Sequence, residues 1–164
     1  MKATVYIESS VISYLTSQPS RDVVTAARQA ITVEWWEERR AQYEIFISAL
    51  IEDEISQGDP KAAERRLALV DDIPALDITD RANVLAKDLI AQGAVPKSGE
   101  EDALHIGVAT VAGMDYLLTW NFRHINNAET KGAIAKVVQQ HGFVCPVLCS
   151  PEELSEASPQ TNQQ

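Results

Sequence analysis

The sequence is poor in cysteine and glycine, and each shortage argues against a class of function. Only Cys145 and Cys149 occur among the 164 residues, and no second ligand pair follows them, so a structural zinc site is not indicated. The seven glycines never cluster, which excludes a glycine-rich phosphate-binding loop. No Gly-x-Ser-x-Gly nucleophile elbow is present, and the three histidines lack a zinc spacing.

The chain also lacks long apolar runs and positive charge. No hydrophobic stretch approaches about 18 residues, so we expect no transmembrane helix. Residues 1–8 contain one lysine and reach an acid too early for a signal peptide, so we expect a cytoplasmic protein with reduced cysteines. The net charge of −10 argues against a basic nucleic-acid-binding surface. Excess carboxylate suits Mg²⁺ or Mn²⁺, which take oxygen ligands.

Short apolar strand patterns alternate with helical patterns along the chain. Strands are predicted at residues 4–7, 44–48, 74–78, 115–119 and 142–148. Helices are predicted between them, including a long one from Arg21 to about Ala41 with Ser20 as its cap. The alternation predicts an α/β domain over residues 1–149, built as an α/β/α sandwich around a parallel sheet of about five strands. Residues 150–164 are polar, and we expect them to form a flexible tail.

Residues 98–121 carry the most informative pattern. Ser98 and Glu101 have the spacing of a capping box, and the nearly apolar segment that follows predicts a buried helix. A short strand comes next and ends at Thr119. After the capping pair is assigned, one acid, Asp102, remains in the first turn of the helix.

Parallel sheets bind ligands beyond the carboxyl ends of their strands. On the predicted sheet, four oxygen-bearing side chains converge there: Glu8, Glu54, Asp102 and Asn121. Three carboxylates in one place would repel each other, and a bound Mg²⁺ or Mn²⁺ would relieve that repulsion while keeping several waters. The chemistry implied is metal-assisted hydrolysis of a phosphodiester.

Each of these residues also has a plainer interpretation. Glu8 suits a solvated turn, and Glu54 belongs to a run of three acids of which at most two can face a cleft. Asp102 suits the positive end of a helix dipole, and Asn121 suits a turn.

Three further residues are better explained by packing than by chemistry. His105 lies one turn after the first-turn acid on an apolar helix, which favours a hydrogen-bonded core histidine over a metal ligand. Trp35 and Trp36 suit helix packing better than a platform for nucleic-acid bases.

Four segments of the chain together resemble a PIN domain. They are residues 6–15 (YIESSVISYL), 48–54 (SALIEDE), 101–106 (EDALHI) and 117–124 (LLTWNFRH). The likeness extends from about residue 3 to 147, and its closest type is the VapC-like ribonuclease toxin of bacterial toxin–antitoxin pairs. The resemblance implies an α/β/α sandwich and a Mg²⁺- or Mn²⁺-dependent endoribonuclease. It also implies RNA as substrate, an inhibiting antitoxin as partner and a homodimer.

The resemblance further implies which residues form the site. The family's three leading acids match Glu8, Glu54 and Asp102, and its fourth position matches Asn121, with Thr119 as the preceding hydroxyl. The first and fourth positions are usually Asp, so this site lacks one formal negative charge, and we expect weaker metal binding and a single metal. Glu8 and Asp102 are expected to hold the metal. Glu54 is expected to orient the attacking water or act as general base.

The same resemblance implies roles for residues around these acids. Asn121 is also expected among the metal ligands, and Thr119, Asn121 and Ser9 are expected to order the metal's outer shell. Arg123 and His124 are expected to meet the RNA phosphate, with a solvated loop as the alternative interpretation.

Two other functions stay open at this stage. A PIN-fold module with a weakened site could bind an antitoxin or RNA without cutting it. A metal-dependent phosphatase acting on small molecules is a third reading, although the sequence indicates no small-ligand pocket.

Overall fold

Five short parallel strands form the centre of the chain. A computed structural model describes residues 1–155, and within them the strand order is β3-β2-β1-β4-β5. The strands are β1 (Thr4–Ile7), β2 (Glu44–Ser48), β3 (Ala75–Leu76), β4 (Tyr116–Leu118) and β5 (Val147–Cys149). Tyr6 of the central strand is in register with Phe46 on one side and Leu117 on the other. The predicted parallel sheet of about five strands is confirmed.

Helices cover both faces of this sheet. In the described part of the chain they are α1 (Ser9–Thr16), α2 (Val23–Glu34), α3 (Ala49–Ile55), α4 (Pro60–Leu69), α5 (Asp80–Ala91), α6 (Glu100–Val111) and α7 (Lys131–Gln140). Helices α1 to α4 connect β1 to β2 and β2 to β3, so the chain moves toward one side of the sheet. Helices α5 to α7 connect β3 to β4 and β4 to β5, so the chain then moves toward the other side. Because parallel crossovers are right-handed, opposite directions place the two helix groups on opposite faces. The predicted α/β/α sandwich is confirmed.

The direction of the chain reverses between β1 and β4. After β1 the chain turns toward β2, whereas after β4 it turns toward β5 on the other side. Such a reversal opens a crevice at the carboxyl ends of the two strands, where parallel-sheet proteins bind ligands. Glu8 directly follows β1, and its N–H donates to the carbonyl oxygen of Leu118 at 3.1 Å. Thr119 directly follows β4, so both residues lie at the crevice.

The core lies on both sides of β1. Val5, Tyr6 and Ile7 are fully buried, as expected for a central strand covered on two faces. Trp35 and Trp36 are buried as well, which confirms their prediction as packing residues. The two cysteines are free thiols, and burial raises their pKa values to about 11 and about 12.

The second helix differs from the prediction at both ends. It begins at Val23, because the carboxylate of Asp22, and not Ser20, accepts a backbone N–H of the first turn. It ends at Glu34, where a π-helical turn over Trp35–Arg39 begins. A π turn holds more residues than an α turn and shifts the helical phase, a change that no propensity pattern signals.

The predicted capping box before α6 is wrong. Ser98 lies in a 3₁₀ turn over Lys97–Gly99, and Gly99 is the N-cap residue without a side-chain bond. A Cβ atom on Gly99 would lie 2.8 Å from Cγ1 of Val95 and 3.1 Å from Nδ1 of His124. The ring of His124 therefore occupies the space that a capping side chain would need.

The packed part of the chain continues beyond the predicted boundary at residue 149. Ser150 and Leu154 are buried, so the first residues of the predicted tail belong to the folded body. The rest of that tail, residues 156–164, lies outside the described residues. In residues 1–155 no helix has both the length and the apolar character needed to cross a membrane.

Candidate active site

Glu8 is a buried acid at the carboxyl edge of the sheet, only 4% exposed. Its Oε1 accepts the hydroxyl of Thr119 at 2.7 Å. Its Oε2 accepts the hydroxyl of Ser9 at 2.9 Å and the N–H of Ser10 at 2.7 Å, which makes Glu8 the N-cap of α1. Three donors on one carboxylate stabilise a buried negative charge. The alternative interpretation of Glu8 as a solvated turn residue is wrong.

Thr119 and Asn121 continue this hydrogen-bond network away from Glu8. The Thr119 hydroxyl, which donates to Glu8, accepts the N–H of Asn121 at 2.9 Å. Oδ1 of Asn121 accepts the N–H of Arg123 at 3.1 Å and the N–H of His124 at 2.9 Å. Two bonds occupy both lone pairs of this amide oxygen. The interpretation of Asn121 as a turn residue is confirmed.

His124 connects the network to Asp102. Its Nδ1 lies 2.7 Å from Oδ2 of Asp102, and the two side chains are 14% and 22% exposed. An ionised carboxylate can only accept, so Nδ1 carries the proton and donates it. Arg123, in contrast, is exposed. Contact of Arg123 and His124 with RNA stays a prediction, and for His124 only Nε2 is left to make it.

A second chain of hydrogen bonds begins at Glu54 in α3. Its Oε1 lies 2.7 Å from Nε2 of His105, and Nδ1 of His105 lies 2.7 Å from the Tyr6 hydroxyl. The Tyr6 hydroxyl lies 2.8 Å from Oγ of Ser48. With Glu54 ionised, Nε2–H of His105 donates to the carboxylate, and a consistent assignment of the other protons has Ser48 donating to Tyr6 and Tyr6 donating to Nδ1. In this assignment every hydrogen bond donates in the same direction, from Ser48 toward Glu54.

Burial and pairing set the charge states in this second chain. Burial is the largest single influence and raises the pKa of Glu54, but the hydrogen bond and charge interaction with His105 and the hydrogen bond with Ser9 together outweigh it and hold that pKa below the usual value. Burial also raises the pKa of Tyr6, and the nearby negative charges of Glu54 and Glu8 raise it further. At neutral pH, Glu54 is an ionised acceptor and Tyr6 a protonated donor, as the proton assignment requires.

Ser9 joins the two networks. Its hydroxyl donates to Glu8, and a hydrogen bond with Ser9 also contributes to the lowered pKa of Glu54. One hydroxyl proton can point to only one carboxylate at a time, so Ser9 can donate either to Glu8 or to Glu54. All of the predicted site residues therefore connect, directly or through Ser9, to one polar system at the carboxyl edge of β1 and β4.

His105 is a hydrogen-bonded core residue, as predicted, and is 1% exposed. The sequence did not indicate its bonds to Tyr6 and Glu54. The available signal was spacing: Tyr6 lies two residues before Glu8 in an extended segment, and His105 lies three residues after Asp102 on a helix. Both spacings place side chains on a shared face.

The carboxylates have the right chemistry for a divalent cation. Oxygens of Glu8, Glu54 and Asp102 are the ligands that Mg²⁺ and Mn²⁺ prefer, and each acid keeps lone pairs beyond its hydrogen bonds. Mg²⁺ keeps several waters and needs only one or two direct carboxylates, a requirement that these residues fit. Across residues 1–155, however, no three Asp, Glu, His or Cys side chains form a group that could hold an ion. The metal site stays a prediction.

Comparison with known proteins places this geometry in a fold. No protein-family profile and no curated protein matches the sequence. Solved structures do match: VapC20 of Mycobacterium tuberculosis, described as a sarcin–ricin loop cleaving toxin, superposes with a TM-score of 0.58 at 13% identity, over 86% of this chain and 97% of that chain. VapBC2 of Rickettsia felis, described as bound to a DNA fragment from its promoter, gives 0.57 at 12% identity, over 90% and 98%.

The chain has a VapC-like PIN fold. At 12–13% identity the likeness establishes the fold alone, so the chemistry of this PIN fold has to be argued from its own residues. The hydrogen-bonded set of Glu8, Glu54 and Asp102, which we call the acidic system, lies beyond the ends of β1 and β4. Glu8 and Asn121 stand at two positions where the resemblance expects Asp.

Proposed function

We propose that the chain is a Mg²⁺- or Mn²⁺-dependent endoribonuclease of the toxin–antitoxin type. The observation that carries this proposal is the connected polar system of Glu8, Glu54 and Asp102 at the chain-reversal point of a PIN fold. Buried acids are costly unless they are paired or serve chemistry. This molecule collects one buried acid, Glu8, and two partly buried acids, Glu54 and Asp102, at the edge where a parallel sheet binds its ligands.

Glu8 and Asp102 are the residues proposed to hold the cation, directly or through water. Asn121 is less suited to direct ligation, because both lone pairs of its Oδ1 already accept backbone N–H groups. It orders the loop that brings His124 to Asp102 instead. When bound, the cation would supply a more acidic water and would stabilise the negative charge on the phosphate.

Glu54 is proposed to orient the attacking water and to accept its proton. His105 holds Oε1 and keeps the carboxylate ionised, so the other oxygen can accept a hydrogen bond from water. Thr119 and Ser9 fix the direction of Glu8, and Arg123 is an exposed cation beside the site that can meet a phosphate.

The partners follow from the same proposal. RNA is the proposed substrate, and the sarcin–ricin loop cleaving toxin of the same fold supports that substrate class. An antitoxin is the proposed inhibitor, supported by the likeness to VapBC2. A homodimer in the cytoplasm completes the proposal.

One observation favours a second candidate, a PIN-fold module that binds without cutting. Glu8 already accepts three hydrogen bonds, and Asn121 has no free lone pair on Oδ1. Both features reduce the capacity of the site for metal. Calorimetry with Mn²⁺ separates the candidates, because heat of binding at millimolar metal supports the nuclease and its absence supports the module.

The nuclease proposal is tested with a double variant, Glu8→Gln with Asp102→Asn, which keeps side-chain shape and removes two charges. We expect Mn²⁺-dependent cleavage of RNA to fall about 100-fold or more while the fold is kept. The matched control is Asp88→Asn, because Asp88 pairs with His141 at 2.6 Å elsewhere in the molecule. Equal cleavage by the double variant and the wild type would defeat the proposal.

A further inference from the structure

An arginine and two aromatic rings form a stack directly beside the acidic system. The guanidinium carbon of Arg28 in α2 lies 5.5 Å from the ring centroid of Trp120 and 5.0 Å from that of Phe122. The two rings meet edge to face, with their centroids 5.9 Å apart. Distances below about 6 Å make this a cation–π arrangement. We refer to Arg28, Trp120 and Phe122 as the aromatic stack.

Hydrogen bonds fix the aromatic stack to the site. Trp120 lies between Thr119 and Asn121 in the chain, and its N–H donates to the hydroxyl of Ser10 at 2.9 Å. Its indole Nε1–H donates to the hydroxyl of Thr32 in α2 at 2.8 Å. Trp120 is 5% exposed, whereas Phe122 is 36% exposed. The tryptophan is therefore held rigidly in the folded body, and the phenylalanine presents part of its ring to solution.

Arg28 has hydrogen-bond donors without an acceptor. Within residues 1–155, no hydrogen bond or ion pair engages its guanidinium, although its charge acts on nearby Asp22. The group is half-buried, and its carbon lies within 5.5 Å of both ring centroids. A stacked guanidinium keeps its N–H edge free for a phosphate. In a chain with 14 basic and 24 acidic residues, Arg28 and the exposed Arg123 both place positive charge beside the acids.

We propose that the aromatic stack holds one nucleotide of single-stranded RNA next to the carboxylates. Arg28 binds a phosphate through its N–H edge, and the exposed ring of Phe122 stacks against the adjacent base. Because every base has a π-face, this contact positions the strand without selecting its sequence. The inference rests on the proposed ribonuclease function, and it assigns substrate positioning to residues outside the acidic system.

Binding is measured apart from cleavage, so that the two proposals can fail separately. A short fluorescein-labelled oligoadenylate is titrated with protein in EDTA, and fluorescence anisotropy gives Kd over a range of salt concentrations. We expect Arg28→Ala to weaken binding roughly tenfold. We also expect the slope of log Kd against log salt to decrease by about 0.7, the value for one phosphate contact on a single strand.

The chain offers a matched control for this variant. Arg81 lies 5.1 Å from the ring centroid of Phe143, and Phe143 lies in the segment before β5, at the opposite edge of the sheet. Arg81→Ala removes the same charge and the same kind of stack, so we expect Kd and slope to stay near wild type. Arg28→Lys keeps the charge, and we expect it to restore the salt slope but only part of the affinity.

Phe122 is tested by the pair Phe122→Ala and Phe122→Tyr. Loss of the ring is expected to weaken binding about as much as loss of Arg28, whereas tyrosine is expected to bind like wild type. If Arg28→Ala matches Arg81→Ala in both affinity and slope while wild type binds and cuts RNA, the inference about the aromatic stack is overturned and the nuclease proposal survives. If wild type neither binds nor cuts RNA, both are overturned.

Discussion

Replacing His105 by Ala is the sharpest test of how the site is built. His105 is 1% exposed and bridges two elements, with Tyr6 of β1 on one ring nitrogen and Glu54 of α3 on the other. The substitution removes both bonds and leaves the buried Tyr6 hydroxyl with Ser48 as its remaining partner, at 2.8 Å. It also leaves Glu54, whose side chain is only 17% exposed, without its strongest partner.

The size of the effect follows from the two hydrogen bonds that are lost. The lost hydrogen bond to the Tyr6 hydroxyl costs about 0.5–1.5 kcal/mol, and the lost hydrogen bond to the charged Glu54 costs about 1.5–3 kcal/mol. Partial rehydration of Glu54 reduces the sum, so we expect His105→Ala to lower the free energy of unfolding by about 2–4 kcal/mol. That is a large fraction of the roughly 5–15 kcal/mol typical of a domain.

Urea unfolding followed by circular dichroism measures this loss. His105→Asn keeps an acceptor for Tyr6 and His105→Gln keeps a donor for Glu54, so each is expected to recover part of the loss. The control is His141→Ala, which breaks the more exposed pair with Asp88 and is expected to cost clearly less than His105→Ala. If His105→Ala costs no more than His141→Ala, the two-sided bridge does not exist as described.

Three other measurements examine the packing, the charge and the metal. A Cβ at Gly107 would lie 2.5 Å from the carbonyl oxygen of Ala82, so Gly107→Ala should lower the free energy of unfolding by about 1–3 kcal/mol. Gly132 lies on a helix with open space around it, so Gly132→Ala should raise the free energy of unfolding by about 0.5–1 kcal/mol. Equal effects of the two substitutions would contradict the close contact at Gly107. The pKa of Glu54 is lower folded than unfolded, so its stabilisation is present above the unfolded value and lost as pH falls through the folded one. As the pH drops below about 4.3, the urea midpoint of Glu54→Gln should fall less than that of the wild type. An equal fall in both proteins would count against the pairing. Millimolar Mn²⁺ should raise the Tm of the wild type but not of the doubly substituted protein, and a Tm that metal leaves unchanged would argue against a bound ion.

Local pattern was enough to predict the fold class and the order of the acids. Apolar strand segments of four to five residues at 4–7 and 44–48 alternate with amphipathic helices, and that alternation permits few arrangements besides a parallel sheet covered on both faces. Once the sheet is parallel, residues after β1 and β4 must share one edge. Glu8 and Thr119 could therefore be placed near each other without coordinates.

Local pattern failed where packing overrode it. Ser98 is a residue type that often caps helices, but the N-cap of α6 is Gly99, and the ring of His124 lies against that position. The second helix ends in a π turn for which propensity gives no signal. At the start of α6, a contact with His124, remote in sequence, outweighed a capping preference of about 1 kcal/mol.

By itself, the sequence determined the alternation of elements, the burial of β1 and the presence of acids at the carboxyl edge, because these depend on neighbouring residues and on the geometry of strands and helices. Only the tertiary structure decided which donors hold those acids. The partners of His105 lie 99 and 51 residues away in the chain, and the rings that hold Arg28 are supplied by the loop after β4. Such contacts depend on how whole elements pack across the sheet, and no periodicity along the chain records them.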